Sequence, residues 1–234
     1  MKRSGLSIFL ASLAALVFIG LGIALQQDWR FPPNSLPWRP VELDRPPHWL
    51  AHWQMRRLHA DAERCRDALT RARQTFTPLA DRKSGEMCGF ENVVRTERPP
   101  VPFNIAPIAT CGLSAGLVWY QGRLEDIALR EMGSRLVRIE QIGTYACRNV
   151  NNLESGNRSQ HATANAIDIA AFHFAGGQSA RVARDYGKDS PEGRFLAAAH
   201  DAACGIFNAV LGPEYNRQHA DHFHFDMGPA WICR

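Results

Sequence analysis

The amino-acid sequence predicts an α+β domain that follows a single apolar helix. An uncharged stretch of 20 residues, 6–25, stands near the start of a chain of 234 residues. Further along, apolar residues recur at helical spacing in some segments and alternate with polar residues in others. Because 45% of the residues are hydrophobic and 21% are charged, the chain can fill a folded core and is neither wholly disordered nor collagen-like.

The apolar stretch predicts a membrane anchor, assigned to residues 1–26. A helix of this length is about 30 Å long, which matches the hydrocarbon core of a bilayer. Lys2 and Arg3 precede it, so we expect this end to stay cytoplasmic and the remainder to cross. A cleaved signal peptide is the alternative, although its apolar region spans only about 7–15 residues. No clean A-x-A cleavage site follows the stretch. Both interpretations export the domain.

A proline-rich segment comes next. Residues 27–47 contain six prolines and are interpreted as an extended spacer, with the folded domain assigned to 48–234. Apolar residues at spacings of three and four predict a helix from about 47 to 72. Residues 76–101, punctuated by glycine and proline, predict short strands and turns.

The middle of the chain predicts one long helix and two strands. Residues 108–132 are expected to be mainly helical, and an interruption at Gly116 or Gly122 stays open. Apolar and polar residues alternate roughly over 135–145, which indicates a strand. The short apolar run 166–172 indicates a buried strand.

The last elements are a helix and a strand. Ser190 is an expected N-cap, Pro191 suits the first helical position, and Gly212 with Pro213 is expected to close the helix. A final strand is expected near 222–227. Mixed helices and strands in this order predict a compact α+β domain.

Six cysteines lie in the exported part of the chain, and no two form a C-x-x-C pair. In an oxidising compartment an even number of cysteines predicts up to three disulfides with no free thiol. Buried free thiols are the alternative. Six cysteines allow 15 pairings, among which the sequence does not choose.

Charge and hydropathy exclude two classes of protein. The net charge is only +4 and no basic stripe or helix stands out, so nucleic acid is not an expected partner. A mean hydropathy of −0.27 excludes a polytopic membrane protein. Six histidines are interpreted as residues without a functional role: His48, His52, His59, His173, His200 and His219.

Four of the nine histidines lie in two short segments, 159–168 and 219–226, which also contain Asp168, Asp221 and Asp226. Because alternate side chains of a strand share a face, we expect His222, His224 and Asp226 to point one way and the intervening phenylalanines to enter the core. Asp168 stands in an apolar strand, where burying a lone carboxylate is costly. We therefore expect Asp168 to be paired or to bind a metal.

A zinc site accounts for this pattern, with His161, Asp168 and His224 as its ligands. Two imidazoles and one carboxylate leave a fourth tetrahedral position open, which is typical of catalytic zinc. Asp221, three residues before His224, is the candidate base, and His222 is the candidate to polarise or position the same centre. A purely structural polar network is the alternative.

The spacing Ser-x-His-x6-Asp from Ser159, followed by Asp-His-x-His from Asp221, resembles the LAS-type zinc peptidases. These include D-Ala-D-Ala carboxypeptidases and penicillin-insensitive murein endopeptidases. Ala164 stands where that family usually has glycine. The resemblance implies zinc as cofactor and a LAS/hedgehog-type metallopeptidase-like fold, a small antiparallel sheet with flanking helices.

The segment from Tyr145 to Arg148 is similar to the Gly-Tyr-Arg segment of these peptidases, with two residues inserted between tyrosine and arginine. The resemblance implies that Arg148, Tyr145 and Ser159 contact the substrate. It also implies that Arg148 or His222 holds a substrate carboxylate or an oxyanion in the reaction.

Longer motifs resemble the bacterial extensin-like C-terminal domain family, over most of residues 45–234. They include Tyr-x-Cys-Arg from Tyr145, the run from Ser159 through Ile169, the His219-x-Asp-His-Phe-His segment and the terminal Cys233-Arg234. For a bacterial protein, Lys2 and Arg3 before the apolar stretch predict a single pass through the inner membrane, with the C-terminal domain in the periplasm.

Three functions follow from these residues and resemblances. The first is an exported zinc peptidase that hydrolyses peptidoglycan cross-links or stem peptides, with Asp221 carrying the proton to the leaving amine. The second is a catalytically inactive wall-binding module that keeps the metal pocket. A polysaccharide hydrolase is the third, and it requires a pair of carboxylates across a cleft.

Overall fold

The computed structural model describes residues 5–26 and 31–234 of the chain. Its first helix is α1 (Gly5–Gln26), and the side chains of α1 whose exposure the structure describes are exposed. The stretch Ser7–Ala24 is long and apolar enough to span a membrane, a property that a signal sequence shares. Lys2 and Arg3, on which the predicted orientation depends, lie outside the described residues.

Beyond α1, the described residues form a mixed α and β domain with small sheets, which confirms the predicted mixture of elements. The helices are α2 (Ala51–Ala60), α3 (Ala62–Arg71), α4 (Cys111–Met132), α5 (Val182–Asp185) and α6 (Pro191–Cys204). The strands are β1 (Thr75–Pro78), β2 (Arg82–Lys83), β3 (Gly89–Phe90), β4 (Val93–Arg98), β5 (Ile108–Thr110), β6 (Leu136–Gly143), β7 (Ala166–Phe174), β8 (Ser179–Arg181), β9 (Ala209–Leu211), β10 (Phe223–Asp226) and β11 (Ile232–Cys233).

The largest sheet carries the residues of interest. Its strand order is β11-β9-β10-β7-β6, and β8 pairs with the far end of β7. Each pairing is antiparallel except that of β11 with β9. A second sheet joins β1, β4 and β5, and β2 pairs with β3 as a separate ribbon.

The helix predicted over 47–72 is two helices. Asp61 lies between α2 and α3 with extended backbone angles, and its carboxylate accepts a hydrogen bond from the Arg64 amide at 3.0 Å. A side chain that caps the first turn of a new helix in this way favours a break, because it satisfies an otherwise unpaired N–H.

The long helix begins later than predicted and runs without interruption. Residues 108–110 form β5, and the Thr110 side chain caps α4. Gly116 and Gly122 lie inside α4. At Gly116 an added Cβ would lie 2.9 Å from the Phe207 ring, so this glycine permits close packing and does not break the helix.

The helix that begins at Pro191 ends at Cys204, well before the predicted stop at Gly212 and Pro213. Val210, which falls within the predicted helix, lies instead in β9 opposite Phe225. Pairing of β9 with both β10 and β11 competes successfully with helix extension. β11 was not predicted, because two residues carry no periodic pattern.

The core lies between the sheet and the helices α4 and α6. Phe223 and Phe225 are fully buried, and the Phe225 ring packs 5.2 Å from that of Tyr120 on α4. Because side chains alternate along β10, the same packing directs His224 and Asp226 to the opposite face of the sheet. The helices therefore fix which face of the sheet carries the chemistry.

All six cysteines are paired, as Cys65–Cys111, Cys88–Cys147 and Cys204–Cys233. This confirms three disulfides and leaves no free thiol. The pairing joins α3 to α4, the β2–β3 ribbon to the segment after β6, and α6 to β11.

Part of the predicted spacer packs on the domain. Leu36, Val41 and Leu43 are buried, and the Trp119 indole N–H donates to the Glu42 carbonyl at 3.2 Å. Asn34 is held as well, because its side-chain amide donates to the Glu42 and Pro46 carbonyls.

Candidate metal centre

Strand register brings two distant residues together. β7 and β10 are antiparallel neighbours in which Asp168 pairs directly with His224, so both side chains share one face of the sheet. His224 Nδ1 lies 3.0 Å from Asp168 Oδ1. His161 comes from the 3₁₀ turn Gln160–Thr163 just before β7, and its Nε2 lies 3.1 Å from the same carboxylate oxygen and 3.2 Å from His224 Nδ1. We call these three residues the ligand cluster.

Local backbone geometry sets the position of His161. The Ser159 hydroxyl accepts a hydrogen bond from the His161 amide and so caps the turn. The turn ends at Ala164, whose φ of 55° is left-handed. Glycine occupies that conformation without steric cost, which gives a physical reason for glycine at this place in similar motifs.

The ligand cluster is buried and electrostatically coupled. Burial favours protonation of Asp168, but hydrogen bonds with His161 and His224 hold its pKa far below the ordinary value. Burial likewise favours the neutral His224 ring, yet hydrogen bonds with Asp168 and Asp226 raise its pKa to about 9. Without a bound cation, the cluster therefore pairs the ionised Asp168 carboxylate with a His224 ring that is positively charged at neutral pH.

A fourth residue fixes the orientation of His224. Asp226 Oδ2 lies 2.9 Å from His224 Nε2, and Asp226 Oδ1 accepts from the Gly228 amide at 2.8 Å. A carboxylate on Nε2 favours the tautomer that leaves Nδ1 free to bind a metal. The sequence placed Asp226 on the correct face, but this contact was not predicted.

The donor set fits zinc. A tetrahedral zinc ion with bonds of about 2.0–2.1 Å separates its ligand atoms by about 3.3 Å. The three donor atoms are 3.0, 3.1 and 3.2 Å apart, and they are two imidazole nitrogens and one carboxylate oxygen. A second group of candidate ligands, His200 with Cys204 and Cys233, offers no thiolate because its two sulfurs form a disulfide.

The predicted base and its neighbour form a pair at the edge of the ligand cluster. Asp221 Oδ1 lies 2.8 Å from His222 Nδ1, and His222 Nε2 lies 3.6 Å from Asp168 Oδ1. The side chain of Asp221 is 70% exposed, whereas that of His222 is mostly buried. Asp221 therefore reaches the cluster through the imidazole of His222.

His219, to which the sequence assigned no role, packs beside this pair. Its ring centroid lies 5.3 Å from that of His222 and 5.7 Å from that of His224. Burial, together with the nearby charges of His224, His222 and Arg148, lowers the pKa of His219 to about 4. Its Nδ1 lies 2.8 Å from the side-chain oxygen of Asn216. The only sequence signal for His219 was its nearness to the second histidine-rich segment.

The predicted substrate-binding residues separate into two places. Backbone hydrogen bonds join Ser159 N to Arg148 O at 3.0 Å and Ala146 N to His161 O at 3.1 Å, so the Arg148 segment runs beside the turn that carries His161. Arg148 is half-exposed, and its charge acts on His219. The Ser159 hydroxyl is buried and serves as the cap already described.

Tyr145 faces the β2–β3 ribbon. Its hydroxyl shares a hydrogen bond with Ser84, and its ring packs edge-on to Phe90 with 4.9 Å between centroids. A cavity of about 360 Å³ lies next to Tyr145 and Gly143. Gly143 pairs with Asp168 across β6 and β7, and an added Cβ there would meet no atom within 4 Å. The cavity thus reaches the row of the sheet that carries the ligand cluster.

A larger cavity of about 1320 Å³ lies on the other side of the 3₁₀ turn, between the ribbon and the α2–α3 junction. It touches Gln160 and Thr163 but none of the ligand cluster. The larger of these two cavities therefore does not open onto the ligand cluster.

Comparison with known proteins identifies the family. The family model described as Extensin-like protein C-terminus matches residues 63–234. The chain belongs to the extensin-like protein C-terminus family. No curated protein and no solved structure matches it. In this extensin-like chain the match starts inside α3 and includes the ligand cluster, the Asp221–His222 pair and all three disulfides.

Proposed function

We propose that this extensin-like protein is an exported, membrane-anchored zinc peptidase that hydrolyses peptide bonds in peptidoglycan cross-links or stem peptides. The observation that carries the proposal is the convergence of three buried donor atoms, on His161, Asp168 and His224, within 3.2 Å of one another. Two imidazole nitrogens and a carboxylate oxygen that converge in this way are the donor set of catalytic zinc sites.

The ligand cluster would hold zinc through His161 Nε2, Asp168 Oδ1 and His224 Nδ1. When bound, zinc supplies a Lewis acid for a carbonyl oxygen and activates water near neutral pH. Asp226 accepts the His224 Nε2 proton and so keeps Nδ1 free of one. Three protein ligands leave a coordination position open, which is the feature that separates catalytic from structural zinc sites.

His222 is the residue placed to transfer a proton. Because Asp221 Oδ1 accepts from Nδ1–H, the lone pair of His222 lies on Nε2, the atom that faces Asp168. His222 Nε2 takes a proton from the attacking water and returns it to the leaving amine. Asp221 orients this ring and stabilises its charged form. This exchanges the roles that the sequence suggested for Asp221 and His222.

Arg148 and His219 line the approach to this centre. The guanidinium group of Arg148 suits a carboxylate of the substrate, because its donors match a carboxylate in fork geometry. Stem peptides carry such carboxylates. His219 is neutral at physiological pH, so it offers a hydrogen-bonding ring without repelling a cation in the ligand cluster.

The LAS-type fold and the periplasmic location are parts of the same proposal. An antiparallel pair of strands that presents aspartate opposite histidine, preceded by a turn with a second histidine, matches what the motif resemblance leads us to expect. α1 supports retention in the inner membrane, and three disulfides support an oxidising compartment.

Digestion of purified sacculi tests the activity. The zinc-loaded full-length protein is expected to release amino acids or uncross-linked muropeptides, measured by mass spectrometry. His222→Ala should lower the rate by about 10²–10⁴-fold and keep the metal, because it removes the proton carrier and no ligand. The matched control is His173→Ala, since His173 also contacts a carboxylate, that of Glu140, but lies outside the cluster.

Two outcomes would contradict the peptidase. If the zinc-loaded protein binds sacculi and releases nothing, the wall-binding module is correct. If the products are glycan fragments with intact stem peptides, the enzyme is a polysaccharide hydrolase.

A further inference from the structure

Four exposed tryptophans define a second surface on this protein. Among the described tryptophans, Trp119 is buried, while Trp38, Trp49, Trp53 and Trp231 are 58%, 76%, 41% and 60% exposed. We call these four the tryptophan patch. Exposed single apolar residues need no explanation, but several large aromatic side chains on one surface indicate an interaction site.

Two residues of α2, Arg57 and His52, connect the surroundings of three of these tryptophans. The Arg57 guanidinium lies 4.7 Å above the Trp53 ring and donates to the carbonyl of Pro37, the residue before Trp38. His52 is the residue before Trp53, and its ring lies 4.6 Å from that of Trp231.

The fold holds the patch outward. Met55 and Leu58 on the opposite face of α2 are fully buried in the core, so α2 cannot turn Trp53 inward. Trp49 lies in the turn just before α2 and is 76% exposed.

The anchor ends close to this surface. The Gln54 side-chain amide, on α2, donates to the Asn34 carbonyl at 3.1 Å. Eight residues lead from Gln26, the end of α1, to Asn34. Even a fully extended chain of that length spans at most about 28 Å. If α1 crosses the bilayer, Asn34 stays within that distance of the membrane surface, and α2 contacts Asn34 through Gln54.

The charge of this segment suits an anionic surface. Between residues 31 and 60 there are four arginines, Arg39, Arg45, Arg56 and Arg57, against two acidic residues, Glu42 and Asp44. Tryptophan prefers the membrane–water interface because its ring is apolar and its N–H is polar. Arginines near the bilayer are attracted to anionic headgroups.

We propose that the tryptophan patch docks on the anionic phospholipid surface of the membrane in which α1 is anchored. Docking fixes the orientation of the domain, because α2 and the segment 31–50 then face the bilayer. The inference goes beyond the proposed peptidase activity and rests only on α1 being retained as a membrane anchor.

Quenching by brominated lipid tests the docking. The full-length protein is reconstituted into vesicles of phosphatidylglycerol and phosphatidylcholine, with or without bromine on the acyl chains. The triple variant Trp49→Ala, Trp53→Ala, Trp231→Ala is reconstituted in parallel. The difference between the two emission spectra reports on three of the four tryptophans of the patch, those at 49, 53 and 231. We expect brominated lipid to reduce this difference emission by about two-fold or more, because interfacial tryptophans contact the upper acyl chain.

Controls separate docking from anchoring and from misfolding. Carbonate extraction of the vesicles measures insertion of α1 independently of the patch. Leu153→Trp, added to the triple variant, places a reporter in the loop beside Gln218 and is expected to be quenched far less. If the triple variant fails to fold, Trp49→Ala alone is used, since Trp49 is the most exposed of the four.

Each result decides the inference. Carbonate-resistant protein with quenched patch emission supports it. Carbonate-resistant protein whose patch emission is unchanged by brominated lipid overturns the docking while leaving the anchor intact. Protein that carbonate extracts from the vesicles overturns both the docking and the anchor. Neither result contradicts the proposed peptidase activity, which is measured separately on sacculi. If patch emission is protected from brominated lipid, and this protection grows with protein concentration, the patch binds a second copy of the chain. That result would also overturn docking.

Discussion

Replacing Asp226 with asparagine tests the metal site without removing any of the three proposed ligands. In the native protein, one carboxylate oxygen of Asp226 receives the His224 Nε2 proton at 2.9 Å and the other receives the Gly228 amide at 2.8 Å. Asparagine has the same shape but only one acceptor oxygen. One of the two donors must therefore face the NH₂ group of the new side chain.

The backbone donor decides which contact fails. The Gly228 amide cannot lose its proton, so we expect the amide oxygen to face Gly228 and the NH₂ group to face His224 Nε2. That contact favours the tautomer with the proton on Nδ1, the atom proposed to bind zinc. Loss of such an outer contact typically weakens metal binding by about 10–100-fold. That range equals about 1.4–2.8 kcal/mol of binding free energy.

Competition with a chromophoric chelator measures the zinc dissociation constant of each variant. Asp185→Asn is the matched control, because Asp185 is also buried and accepts the Arg181 amide, but lies outside the ligand cluster. We expect Asp226→Asn to weaken zinc binding and Asp185→Asn to leave it unchanged. Zinc binding by Asp226→Asn that equals the parent's would refute this account of His224, and equal weakening in both variants would attribute the effect to general destabilisation.

Three further predictions concern stability. Ala164→Gly should raise the free energy of unfolding by up to about 1 kcal/mol, because Ala164 has a φ of 55°; chemical denaturation measures this, and a lower midpoint would contradict it. Glu140→Gln should cost about 1–2 kcal/mol at pH 7, since Glu140 makes a two-point contact with Arg181 at 2.9 and 3.1 Å. Partial burial raises the pKa of Glu140, but hydrogen bonds with Arg181 and His173 lower it below 4.5. The stabilisation is therefore present above pH 4.5 and disappears as the pH falls through the pKa of Glu140 in the native protein. Melting temperatures of parent and variant, measured against pH, should converge in acid. Cys88→Ser with Cys147→Ser should cost about 4 kcal/mol, because the bond closes a loop across 59 residues, and an unchanged melting temperature would count against that value.

Local patterns were sufficient to predict several elements. The uncharged, mostly apolar run 6–25 predicts α1 because a single segment that crosses a lipid core satisfies its own backbone hydrogen bonds only as a helix. Alternation over 222–227 predicts which side chains of β10 share a face, since the period of a strand is two. Ser190 and Pro191 predict the start of α6, because capping is decided by neighbouring residues.

Contacts with residues distant in sequence decide where some elements end and why part of the predicted spacer packs on the domain. α6 stops at Cys204 because the following residues pair with β10 and β11, and Cys204 bonds to Cys233. Residues 34–43 lie on the domain because Trp119 and Gln54 bind their carbonyl groups. Such partners are far away in sequence, so no local pattern indicates them.

The sequence by itself determined which residue types gather around Asp168, since a carboxylate in an apolar strand requires partners. The tertiary structure alone decided the register that sets Asp168 against His224, 56 residues later, and so which nitrogen faces which oxygen. It also decided that Asp221 contacts His222, that Asp226 contacts His224, and that the ring of His219 packs beside that of His224. The physical reason is that hydrogen bonds are directional and short, so their partners are fixed only when strand pairing and helix packing bring separate segments to within about 3 Å.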